Sequence, residues 1–117
     1  MLLQLSFLGD AVFELMVREY AISLNIVKLK DLQKFTLDFV TAKKQAYFTQ
    51  ILIQNGYLTG EEVDLIRRGR NVKTRKSPKN CDVITYKYAT AFEILIGFLY
   101  KNDRERLNEI FDLIKKM

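Results

Sequence analysis

Pro78 is the only proline in the chain, and just five of its 117 residues are glycine. These two residue types interrupt helices most effectively, so a chain with so few favours long helices. The apolar spacing agrees. Residues 3–24 carry Leu5, Leu8, Val12, Phe13, Leu15, Met16, Tyr20 and Leu24 at helical intervals. After a short connection over residues 25–30, residues 31–55 continue with Leu32, Phe35, Leu37, Phe39, Val40, Ala42, Ala46, Phe48, Ile51 and Leu52, and a kink is expected near Thr41. Asn55-Gly56 reads as a helix stop. Thr59-Gly60-Glu61-Glu62 has the capping-box pattern and predicts a short helix to about Arg68. Residues 69–80 read as a loop. Asp82 is placed to cap a helix running to about Tyr100, Asn102-Asp103 breaks it, and residues 104–116 form a last amphipathic helix on Leu107, Ile110, Phe111 and Ile114. No stretch alternates as a strand would. The expectation is one all-α domain over residues 1–117, with five or six helices.

Composition narrows the chemistry. Apolar residues make up 49% of the chain, which argues against disorder. Histidine is absent, which excludes His-based catalysis and His-ligated zinc. The lone Cys81 allows no internal disulfide and suits a reducing, cytoplasmic setting. The first apolar run has no basic residues ahead of it and stops at Gly9-Asp10, so no signal peptide is expected. No run of 18 or more apolar residues exists, so a soluble chain without membrane spans is expected.

Two carboxylates sit where apolar helices would exclude them. SFLGDAVFEL, residues 6–15, sets Gly9 and Asp10 in the middle of an apolar run. YATAFEILIGFLY, residues 88–100, has a single charge, Glu93, with Gly97 one turn on. Burying an unpaired carboxylate is costly, so a bland reading is a buried ion pair or a capped backbone group. The glycines favour another. Ala89, Glu93 and Gly97 lie on one ridge, and small residues beside an acid let two helices approach closely. Asp10 and Glu93 then meet, and a hard divalent cation with oxygen ligands relieves their repulsion. Glu14 lies one turn beyond Asp10, but pairing with Arg18 suits it better.

RRGRNVKTRKSPK, residues 67–79, holds seven basic residues and no acid, while the rest of the chain has 12 basic and 14 acidic residues. The positive charge is therefore local. Arg67, Arg68, Arg70, Asn71, Lys73, Arg75, Lys76 and Lys79 are the candidate contacts to a phosphate backbone. The run lacks aromatics for base stacking, so shape and charge recognition of a duplex fits it better than base reading. The ordinary alternative is a solvated loop. Lys43 and Lys44 read as a solvated face.

FLGDAVFEL resembles the signature of ribonuclease III domains, and TAFEILIGFLY resembles that family's second motif. Taken with RRGRNVK, PKNCDV and LIGFLY, these stretches most resemble Mini-ribonuclease III, the short bacterial form with a catalytic domain and no double-stranded-RNA-binding domain. The resemblance implies an all-helical homodimer that cuts double-stranded RNA with Mg²⁺, leaving 5′-phosphates and short 3′ overhangs. It further implies a role in maturing the ends of precursor large-subunit (23S) ribosomal RNA. Under it, Asp10 and Glu93 are the catalytic, metal-holding acids, Phe7 and Leu8 belong to the dimer interface, and residues 69–80 engage RNA. Two positions where the family usually has acids carry Leu3 and Thr90 instead. One ion held directly by Asp10 and Glu93, with water completing its shell, is then implied. Leu3 and Thr90 also define an alternative, a homodimer of the same fold that binds double-stranded RNA and cleaves weakly or not at all. A third class is a structural helical bundle using the basic loop for a protein partner.

Overall fold

The computed structural model describes residues 1–72 and 81–117. Among these residues there are six helices and no strand: α1 (Leu2–Ser23), α2 (Leu29–Val40), α3 (Ala42–Gln54), α4 (Gly60–Arg70), α5 (Val83–Asn102) and α6 (Arg104–Lys115). Local chemistry sets most of the boundaries. At the end of α1, Asn25 adopts φ 63° and its N–H donates to the carbonyl of Ile22. At the end of α3, Gly56 takes φ +68°. Its N–H donates to Ile53 O and that of Tyr57 to Leu52 O, which is the Schellman pattern. The capping box forms in full: Glu62 N–H donates to Thr59 Oγ1 and Thr59 N–H to Glu62 Oε1.

Two expectations need correction. Residues 31–55 form two helices, not one kinked helix. Thr41 stands between them in an extended conformation (φ −69°, ψ 153°), and its hydroxyl accepts from Lys44 N–H. A side chain able to cap a new helix turns the expected bend into a break. Second, α4 runs two residues past Arg68. Gly69 and Arg70 are helical rather than loop, because Gly69 is buried against Ala91 and Ile94 of α5.

Helix α5 is the centre of the molecule: α1, α3, α4 and α6 all pack on it. Ala91, Phe92, Ile94, Leu95 and Ile96 are wholly buried. Phe92 meets Phe13 of α1 edge-on with ring centroids 4.8 Å apart, and Phe48 of α3 lies 6.0 Å from Phe92. Such pairs add to the burial itself. On the far side, Arg106 of α6 donates to both carboxylate oxygens of Glu62 at 2.8 Å and to Tyr57 O at 2.7 Å. Among the described residues no helix is long and apolar enough to cross a membrane.

Candidate active site at the crossing of α1 and α5

The two glycines mark the point where α1 and α5 touch. A methyl group on Gly9 would lie 1.8 Å from the carbonyl oxygen of Glu93, and one on Gly97 would lie 2.2 Å from that of Leu5. Backbone rests on backbone, with no side chain between. This contact answers why glycines interrupt both apolar runs, and it fixes where the two acids go. Asp10 follows Gly9 at the exposed edge of the crossing, and Glu93 lies half-buried beneath it.

Asp10 and Glu93 are brought together. Burial is the main cause that pushes the Glu93 carboxyl up to about 8, and the charge of Asp10 and a proton shared with it push the same way. Two neighbours oppose the shift: the Ser6 hydroxyl, which donates to Glu93 Oε1 at 2.8 Å, and, more weakly, the Gln45 amide beside it. Among the described residues, the leading influences on this carboxyl are burial, Ser6, Asp10 and Gln45, none of them a lysine or arginine. Each of the two acids thus raises the cost of ionising the other, and between them they offer only hard oxygen donors. That donor set fits Mg²⁺. Among the described residues no group of three or more acids, cysteines or histidines gathers as a fuller metal cluster.

Leu3 and Thr90 add no ligand to the pair. Leu3 is half exposed. Thr90 is buried, and its hydroxyl turns back to donate to Tyr86 O, one turn earlier on α5. Neither offers an oxygen to the pair. Glu14 is engaged by Arg18 at 2.6 Å. Asp82 caps α5 by accepting from Thr85 N–H and Thr85 Oγ1.

The basic stretch begins on a helix. Arg67, Arg68 and Arg70 occupy the last turn of α4, where positive charge opposes the helix dipole favourably. Arg67 pairs with Asp64 at 2.6 Å, and Arg68 is exposed. Arg70 Nη1 donates to the Tyr88 hydroxyl at 3.4 Å, and the guanidinium also lies over that ring, 5.9 Å from its centroid. Asn71 is the exposed C-cap residue of α4. Tyr88 precedes Glu93 by five residues, roughly 7.5 Å along the axis. Lys73, Arg75, Lys76 and Lys79 lie outside the described residues. Lys43 is exposed, whereas the Lys44 ammonium packs over Tyr47 and Phe48.

Beside the acids runs an apolar stripe. Leu3, Phe7, Ala11 and Leu15 recur every four residues along α1 and all face solvent, with Phe7 85% exposed. Leu8, on the adjoining face, is half-buried. Leu15, Leu24 and Leu37, part of the helical apolar spacing, point outward. Ser6 and Gln45 were not anticipated as site residues. Ser6 has a local signal, since it lies one turn before Asp10 on the same face. Gln45 had none, because only the packing of α3 on α5 brings it near Glu93.

Comparison with known proteins gives a consistent result. The Ribonuclease III domain pattern matches residues 3–104. A Mini-ribonuclease 3 of Enterococcus faecalis is 40% identical over 117 residues, covering 98% of this chain and 89% of its own. Another, of Brevibacillus brevis, is 44% identical over 109 residues, covering 92% and 80%. The crystal structure of a Fusobacterium nucleatum protein matches with a TM-score of 0.88 at 31% identity, covering all of this chain and 94% of that one.

Proposed function

This chain belongs to the ribonuclease III family, among the Mini-ribonuclease 3 proteins, and is an endoribonuclease; from that premise we propose that it cleaves double-stranded RNA as a Mg²⁺-dependent homodimer. Residues 1–117 form its catalytic domain. Asp10 and Glu93 are the catalytic acids and hold the ion. The observation that carries this reading is their juxtaposition at the glycine crossing, with Asp10 raising the cost of ionising Glu93. A bound Mg²⁺ supplies Lewis-acid polarisation of the scissile phosphate and activation of water.

The chain's own residues supply the rest. Glu93, half-buried, gives the site one fixed carboxyl, and Asp10, exposed, gives one that meets substrate. Arg68, Arg70 and Asn71, with Arg67 and the basic residues Lys73, Arg75, Lys76 and Lys79, are the proposed contacts to phosphates. Tyr88 holds Arg70 against α5, the helix that carries Glu93. Phe7 and Leu8 are proposed at the dimer interface. The exposed stripe Leu3, Phe7, Ala11 and Leu15 supports that, being an apolar patch beside the site. The substrate we propose, the ends of precursor large-subunit (23S) ribosomal RNA in the cytoplasm, rests on the resemblance to Mini-ribonuclease III. The lone thiol, Cys81, is compatible with that compartment.

The test is a gel of labelled duplex RNA with purified protein, with and without Mg²⁺. The chain should cut only with the ion, and Asp10→Asn and Glu93→Gln should bind RNA without cutting. Wild-type cleavage rates in both variants overturn the assignment.

A further inference from the structure

Glu93 is reached from two sides by neutral side chains, and each is held by its own helix. From α1, the Ser6 hydroxyl donates to Glu93 Oε1 at 2.8 Å. Ser6 is one turn before Asp10, so the helix that carries one acid also grips the other. From α3, Gln45 is 2% exposed and lies in the helix's first turns. Its position is fixed in turn. The buried Thr49 hydroxyl donates to Gln45 O at 3.0 Å and reaches Tyr88 O at 3.4 Å, tying this part of α3 to α5 a little over one turn before Glu93. A buried amide needs partners, and the Glu93 carboxyl lies near enough for Gln45 to act on it.

We propose that Ser6 and Gln45 are positioning residues that clamp the Glu93 carboxyl in the orientation in which it faces Asp10. A glutamate side chain has several rotatable bonds, and half-buried it would otherwise lose its aim when the ion leaves. Two uncharged donors fix it without adding charge. Once both carboxyls are ionised, the two-carboxylate site presents a charge of −2, matched to one divalent cation. Held ligands of this kind typically change metal affinity 10- to 100-fold when their outer partners are removed.

This inference rests on Asp10 and Glu93 holding the ion, and the experiment separates the two ideas. Mn²⁺ is titrated by electron paramagnetic resonance into wild type, Asp10→Asn, Ser6→Ala, Ser6→Thr and Gln45→Met, without RNA. Half-saturating Mg²⁺ for duplex cleavage is measured in parallel, and melting in EDTA reports the fold. Ser6→Ala should weaken Mn²⁺ binding and raise half-saturating Mg²⁺ about tenfold or more, with the rate at saturating Mg²⁺ within a few-fold of wild type. Ser6→Thr, which keeps the hydroxyl, should restore both to near wild type, and Gln45→Met should behave like Ser6→Ala. Ser6 is only partly buried, so Ser6→Ala decides the matter even where Gln45→Met melts early. Wild-type Mn²⁺ affinity in Ser6→Ala, in a protein whose Asp10→Asn form has lost it, sinks the clamp alone. Equal binding by wild type and Asp10→Asn sinks the ion site and the clamp together.

Discussion

The Cα of Gly9 rests against the carbonyl of Glu93, leaving no room for even a methyl group. In an exposed helix, replacing glycine by alanine gains up to about 1 kcal/mol. Here the added carbon meets main chain, which cannot swing aside as a flexible side chain would. Gly9→Ala and Gly97→Ala should each destabilise by about 1–3 kcal/mol or more, read as a lower midpoint in urea. Gly60, with nothing within 4 Å of an added carbon, is the control, and Gly60→Ala should leave the midpoint unchanged or raise it.

Removing a carboxyl from the pair should separate catalysis from folding. Asp10→Asn and Glu93→Gln should lower duplex cleavage by at least about a hundredfold, beyond what the loss of an outer partner does. Neither should melt earlier than wild type at pH 8 in EDTA, because each variant relieves repulsion between the acids. Multiple-turnover cleavage assays and thermal melts check both halves.

Stability without metal should depend on pH in a definite direction. Glu93 is held near 8 in the folded protein, above its ordinary 4.5, chiefly by burial. The folded state keeps the proton more tightly than the unfolded one, so stability from this group is full below about 4.5 and falls as pH rises toward about 8. Melting temperature in EDTA should decline across that window, and Glu93→Gln should flatten its share of the decline. Excess Mg²⁺ should restore stability most at the alkaline end, where the carboxyl gives up its proton most readily.

The arrangement was partly visible in the residue order. Helix spacing, the Thr59 capping box and the Asn55-Gly56 stop are local signals, and they appear where the sequence put them. The Gly9/Asp10 and Glu93/Gly97 pattern was readable because a helix-weakening residue beside an acid in an apolar run has few other uses. The break at Thr41 was blurred, since apolar spacing runs straight through it and only the cap reveals it. Leu15 shares the helical spacing of the buried residues, and only the packing of α1 on α5 shows that its face is left uncovered. Gln45 was illegible for a related reason: its neighbour is 48 positions away, and no periodicity spans that gap.

The far side of the domain should respond independently of the site. Glu62 is buried and bridged twice by Arg106, which, before the other causes, holds its carboxyl below the usual range. Arg106→Met leaves that carboxylate with only its cap contacts. The expected loss is roughly 3 kcal/mol, the low end for a broken buried pair because Arg106 is partly exposed. Urea unfolding measures it, and Mg²⁺ affinity in the same variant should not change.

RNA affinity should report the end of α4. Arg68→Ala and Arg70→Ala should each weaken duplex binding at all sequences alike, and each should lower the slope of log affinity against log salt by about 1. Filter binding across a salt series with Ca²⁺ in place of Mg²⁺ gives the slope without cleavage. For Arg70 the effect should be matched in part by Tyr88→Phe, which removes the hydroxyl that steadies it.

The helix on which α1, α3, α4 and α6 all lean is the fifth to be synthesised. Everything that leaves the ribosome before Val83 does so without its main support, and the earlier helices have little but each other to shelter their oily faces. Folding must therefore wait for the final third of the chain, and a peptide of residues 1–82 should show little protection from hydrogen exchange until a separate peptide carrying α5 is added.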